Sequence, residues 1–254
     1  MSPSATAENR KSFGFSARDY RALLQAFAER NYRTVLLPEL QAGQRHLFLR
    51  HDVDLCLKRA LAIAEIEAAE GARATYYVLV STAAYNPGAA ESRRTLGRLV
   101  ELGHSVGLHF DGTAYSDRSQ ELEAHAAKEC EILELLSGAP VTSISFHRPA
   151  KSLLGLESTF AGRPHSYQPR FTVDIGYVSD SSGGFFHGHP LDHPAVRAGR
   201  ALQLLTHPIW WASDSPRTAD EQLEEWQNER TATLKAIAAA ATAKASSRSK
   251  PAKE

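Results

Sequence analysis

The chain has 254 residues, 43% hydrophobic and 23% charged, with 29 Lys and Arg against 29 Asp and Glu. That is the size and apolar content of one large α/β domain, and zero net charge offers no attractive field to nucleic acid or an anionic membrane. No apolar run nears the roughly 20 residues that cross a bilayer, the first residues lack an apolar signal core, and Cys56 and Cys130 cannot build a disulfide framework, so a cytoplasmic protein is expected.

Residues 1–14 and 241–254 are polar or small and unpatterned and read as flexible ends around a single domain at 15–240. Ser16 is placed to cap a helix whose Tyr20, Leu23, Leu24 and Phe27 share one face. Residues 46–50 are extended and lead into His51-Asp52-Val53-Asp54. Leu57, Leu61, Ala64 and Ala68 then mark a helix stopped by Gly71. Residues 74–80, rich in Thr, Tyr and Val, read as a buried strand. Leu96, Leu99 and Val100 lie on the next helix, stopped by Gly103, and 105–110 is extended. Leu122, Ala126, Cys130 and Leu133 mark another helix, stopped by Gly138, and 141–146 is extended again. A long loop is expected over 151–172, strands at 175–179 and 201–206, and a last helix over 219–240. Helices alternating with strands imply βαβ units and a parallel sheet, either open and doubly wound or closed into a barrel. Neither G-x-G-x-x-G nor G-x-x-x-x-G-K-[ST] is present, which removes the best evidence for a dinucleotide or P-loop protein.

Ionisable residues recur where the predicted strands end. Asp52 and Asp54 close the first, and alternation points both to one side, with His51 and Val53 on the other. His109 ends the third and His147-Arg148 the fourth; Asp180 and His207 follow the last two. The carboxyl rim of a parallel barrel is where active sites are built. One carboxylate and two imidazoles leave an open position on a divalent ion such as Zn²⁺. A second carboxylate can then take a proton from water, a remote His can protonate a leaving amine, and Arg148 can hold the base by a bidentate pair. The set suits metal-assisted hydrolysis of an amide or ester. Blander readings stand beside it: Asp52 and Asp54 as helix caps, His109 as a core histidine, His104 as a structural one. His187, His189 and His193 read as a rigid loop set by Pro190 and Pro194. Trp210 and Trp211 either stack on a sugar or plug the barrel end. Cys56 reads as a small packed thiol.

Together these segments resemble the polysaccharide deacetylases, the NodB-type family also called carbohydrate esterase family 4. The family's T-F-D-D is matched by the divergent His51-Asp52-Val53-Asp54, and its A-T-F-F-V by Ala74-Thr75-Tyr76-Tyr77-Val78. Its G-H-E-I-G-N-H resembles Gly103-His104-Ser105-Val106-Gly107-Leu108-His109, and its F-R-P-P resembles Phe146-His147-Arg148-Pro149. Ser179-Asp180-Ser181 and Leu205-Thr206-His207 stand for the last two motifs, in the family's order. The resemblance implies a distorted (β/α)₇ barrel that removes acetyl groups from N-acetylated sugars with a divalent metal, most simply Zn²⁺. It makes Asp52 the base, Asp54 and His109 metal ligands, Arg148 the residue that orients the base, Asp180 a catalytic residue at the family's conserved Asp and His207 the general acid. The family's second metal His falls on Thr113, so His147 is expected as the third ligand, with Asp111 as its rival. The expected substrate is an acetamido sugar in a nucleotide- or lipid-linked precursor of surface polysaccharide such as O-antigen. The alternatives are a degenerate sugar-binding relative and a metal-dependent phosphoesterase.

Overall fold

The computed structural model describes residues 15–115 and 119–248. In chain order the elements are α1 (Ala17–Glu29), β1 (Arg33–Thr34), β2 (His46–Val53), α2 (Leu57–Ala69), β3 (Ala74–Val78), α3 (Ala90–Glu101) and β4 (Ser105–Phe110). They continue with α4 (Ser119–Ser137), β5 (Ile144–Phe146), α5 (Pro169–Thr172), β6 (Gly176–Ser179), α6 (Pro194–Arg197), β7 (Leu202–Thr206), α7 (Pro208–Trp211) and α8 (Ala219–Arg248). All seven strands are parallel, in the order β5-β4-β3-β2-β7-β6, with β1 beside the start of β2. Among the described residues no ladder joins β5 to β6, so the barrel is open on one side.

The long connection before β6 fills that opening. It is more ordered than a loop: His165 bridges Ile144 of β5 in parallel, and Ser166 N–H donates to the Ile144 carbonyl at 2.9 Å. From β7, the Gln203 amide donates to the Phe171 carbonyl at 2.6 Å and the Ser166 carbonyl at 3.3 Å. A side chain inside the barrel thus satisfies backbone that has no strand to pair with.

Every residue of β2 is buried, as a central parallel strand covered on both faces requires. Its odd positions Leu47, Leu49 and Val53 join the core beneath the helices. Its even positions point inward, where Phe48 packs with Leu37, Tyr77 and Phe171. On α1, the Ser16 hydroxyl accepts from Asp19 N–H at 3.2 Å, and Tyr20, Leu23, Leu24 and Phe27 are buried, as their spacing predicts. On α2 the buried stripe is Leu57, Ala60, Ile63, Ala64 and Glu67, rotated from the expected Leu61 and Ala68. A buried acid on that stripe explains the difference, since an apolar pattern cannot reveal it.

Strand β2 extends three residues past its expected end and takes in the first polar motif, while β5 starts three residues later than expected. Helix α8 runs on to Arg248, through the segment read as the start of a flexible tail; residues 1–14 and 249–254 lie outside the described residues. No helix among the described residues is long and apolar enough to cross a membrane.

Gly107 shows how tightly the inward face is filled. A Cβ there would stand 2.6 Å from the Tyr77 ring and 3.1 Å from the Ser143 carbonyl. Tyr77 is itself fixed by a 2.9 Å hydrogen bond to Ser143 Oγ. Gly107→Ala is therefore expected to destabilise the protein by about 1–3 kcal/mol, the usual cost of overpacking, read as a lowered urea midpoint.

Candidate active site

Period-two alternation delivers the site. The register pairs Arg50 with Leu205 and His109 with Ser145, so two residues further on Asp52 and His207, and then Asp54 and His147, face the same interior. The resulting cluster lies at the carboxyl ends of β2, β4, β5 and β7. His109 Nε2 is 3.1 Å from Asp54 Oδ1 and 3.2 Å from His147 Nδ1, and His147 Nδ1 is 3.5 Å from Asp54 Oδ1. A tetrahedral ion with ligands at about 2.0–2.1 Å spaces them about 3.3–3.4 Å apart, so this triangle has the dimensions of a metal face. Asp54 Oδ1 is buried without an aligned donor, an orphan that a cation would satisfy. Among the described residues these three alone form such a group.

Protons constrain the triangle. Arg148 Nε donates to His147 Nε2 at 2.9 Å, which leaves the His147 proton on Nδ1, directed to His109 Nε2. For Nδ1 to hold a cation, that proton would have to sit on Nε2 and the arginine contact would be given up. Arg148 can turn away, because its side chain is 72% exposed.

Two charged groups flank the triangle. Asp52 receives a bidentate grip from Arg50, with Nε to Oδ1 at 2.9 Å and Nη2 to Oδ2 at 2.7 Å. Arg50 is fully buried, donates to Ser145 Oγ at 2.6 Å and Tyr167 Oη at 3.1 Å, and lies 4.7 Å from the centre of the Tyr167 ring. Burial would raise the Asp52 pKa, but the Arg50 charge outweighs it and holds the carboxyl below its ordinary value. Asp54 is held far below its ordinary range: burial opposes this and the closeness of His109 and His147 prevails.

Across the cleft, His207 Nε2 is 3.8 Å from Asp54 Oδ2. Its Nδ1–H donates to Asp180 Oδ1 at 2.6 Å. Burial pulls the His207 pKa down, yet Asp180, then Asp54 and Asp52, push it up to about 9. Asp180 is fully buried and also accepts the His207 backbone N–H at 3.0 Å and the Trp211 indole N–H at 2.7 Å.

Asp52, Asp54, His109, His147, Asp180 and His207 thus meet in one cluster, while other expected residues lie apart. Arg148 does not reach Asp52; it sits with φ +48°, on His147 and 3.9 Å from Asp111. The grip on Asp52 comes from Arg50, two positions before it on the same strand. The i, i+2 spacing of Arg50 and Asp52 was the available signal. Asp111 turns away from the triangle and accepts from Thr113 N–H and Oγ1 at 3.0 and 2.6 Å. Trp210 and Trp211 are buried, at 8% and 3% exposure, so neither presents a face to a sugar. Trp211 packs on Phe15, Tyr20 and Phe185. His104 is structural, bonded to the Ala74 N–H and the Ala64 carbonyl. His189 and His193 accept from Leu191 and Ala195 N–H within their own turns, and Cys56 is half-buried ahead of α2 with no capping bond.

No family model and no curated protein matches the chain. Among solved structures it is similar to the deacetylase PplD of Streptococcus pyogenes, with 12% identity and a TM-score of 0.45 over 81% of this chain and 87% of that one. It is similar to a family 4 carbohydrate esterase from Bacillus anthracis, with 16% identity and a TM-score of 0.43 over 83% and 86%. It is also similar to a carbohydrate esterase family 4 pseudoenzyme from Bacillus anthracis, with 14% identity and a TM-score of 0.42 over 84% and 76%. These likenesses concern the course of the chain, and the chemistry is read from the side chains.

The two arginines make opposite predictions. Arg50→Met leaves a buried carboxylate unpaired and should cost about 3–5 kcal/mol, whereas Arg148→Ala should change stability by no more than about 0.5 kcal/mol. Urea unfolding of the two variants checks both.

Proposed function

We propose that the chain is a divergent metal-dependent N-deacetylase of the polysaccharide deacetylase type, hydrolysing the C–N bond of an acetamido sugar. One observation supports this above the rest: Asp54, His109 and His147 converge at ligand spacing between an ionised carboxylate, Asp52, and a cationic imidazole, His207. A divalent cation held by the three, zinc by the donor set, supplies Lewis acidity that polarises a carbonyl and acidifies water.

The remaining steps belong to the chain's own residues. Asp52, kept ionised by Arg50, takes the proton from water as the water's oxygen bonds to the acetyl carbon. His207, kept cationic by Asp180, gives its proton to the amide nitrogen, so the C–N bond breaks with release of amine and acetate. The Trp211 indole N–H holds Asp180 in place, which fixes the direction of the His207 ring. With one carboxylate among the three ligands, the set suits a single ion better than the two-metal site of many phosphoesterases. The finer reading is an acetamido sugar carried on a nucleotide or lipid, a cytoplasmic precursor of surface polysaccharide such as O-antigen. A metal-free sugar-binding relative is the second reading. It draws on the Arg148–His147 hydrogen bond, which leaves a proton where a ligand lone pair is needed.

Purified protein is expected to carry about one equivalent of zinc or a similar ion and to release acetate from a panel of N-acetylated nucleotide- and lipid-linked sugars, with a chelator abolishing both. Asp54→Ala should lose the metal. Asp52→Asn should keep it while losing turnover, and His207→Ala should slow turnover by roughly 10²–10⁴-fold. Full metal content in Asp54→Ala, or full turnover in Asp52→Asn, contradicts the assignment.

A further inference from the structure

A second polar cluster is buried on the opposite face of β2. His51, between Arg50 and Asp52 in the chain, points outward and is fully buried. Its Nε2 is 2.6 Å from Glu67 Oε1 and 3.4 Å from Tyr20 Oη, and its Nδ1 is 2.7 Å from Thr206 Oγ1. Glu67, fully buried on α2, accepts from Tyr20 Oη at 2.5 Å and Tyr76 Oη at 2.6 Å. The cluster therefore ties α1, α2, β2, β3 and β7 together at one point. Burial works against the Glu67 charge, but His51 and the hydrogen bonds outweigh it and keep the carboxyl below its ordinary value.

Apolar side chains of like volume would hold these elements together at least as well, because burying a charged carboxylate with its polar partners carries a desolvation cost that their attraction often fails to recover. The cluster's place in the fold suggests a second role. His51 and Thr206 are register partners across β2 and β7, and the next residues along those strands, on the inward face, are Asp52 and His207. A second line runs from Tyr20, whose ring is 5.4 Å from that of Trp211, through Trp211 to Asp180 and so to His207. We propose that the His51–Glu67 cluster is a positioning device, which pins β2 to β7 through Thr206 and so fixes His207 relative to Asp52 and Asp54. The proposal rests on the hydrolase reading, in which those residues act on one bond.

Thr206 allows a clean test. Thr206→Val keeps the shape and removes the hydroxyl; Thr206→Ser keeps the hydroxyl. In Thr206→Val, kcat should fall about 10–100-fold, the scale of a small misplacement, with KM and zinc content unchanged. Thr206→Ser should retain the wild-type rate. In the metal-free protein, the His207 ring resonances in NMR spectra should move in Thr206→Val and stay in place in Thr206→Ser. Tyr20→Phe, which keeps the ring on Trp211 but removes the hydroxyl that ties it to Glu67, should displace them as well. Wild-type His207 resonances and kcat in both Thr206→Val and Tyr20→Phe, with only a lower melting temperature, would overturn the proposal. If the wild-type protein releases no acetate from any sugar, the hydrolase reading fails, and the resonances still decide whether the cluster positions His207.

Discussion

An ion pair that is almost fully buried lies at the centre of this fold. Arg50 and Asp52 share one strand whose two faces are both covered, so neither can keep its hydration shell and each must be satisfied by protein. Much of the interior follows from that requirement. Ser145 from β5, Tyr167 from the long connection and Gln203 from β7 all turn toward the guanidinium. The connection that fills the open side of the barrel is therefore anchored partly by the group it covers. The same pair keeps a carboxylate ionised at the edge of a pocket, where an unpartnered buried acid would take up a proton instead.

The architecture was legible because α/β alternation and strand ends are written in the order of residues. The inward set was legible too, since Asp52 and Asp54 sit two apart and His109, His147 and His207 each close a strand. What could not be read was partnership across the barrel. Arg148 has the local context of an orienting arginine, yet a left-handed backbone at that residue turns it outward, and Arg50 occupies the place beside Asp52. The two tryptophans follow the last strand, as sugar-stacking residues would, but the helical turn beginning at Pro208 folds them into the core. Glu67 lay hidden because an acid on an apolar helix face reads as solvent-exposed until its three donors are brought together from α1, β2 and β3.

His147 is where the proposed site departs from the ligand positions that the sequence resemblance implies. A ligand at the position of Thr113 would come from the turn after β4; here that turn is closed by Asp111 and Thr113 bonding each other. In the proposed site the third donor would come from the end of β5 instead, next to an arginine that bonds its other nitrogen. Ligation at such a site would be coupled to a tautomer shift of His147 and to a side-chain movement of Arg148.

The central claim is that Asp54, His109 and His147 hold one ion. It is tested most directly by anomalous X-ray scattering at the zinc edge from crystals grown with zinc. The account predicts a single strong peak about 2.0–2.2 Å from Asp54 Oδ1, His109 Nε2 and His147 Nδ1, with the Arg148 side chain turned away from His147. No peak between these three atoms, with Arg148 still on His147 Nε2, would contradict it.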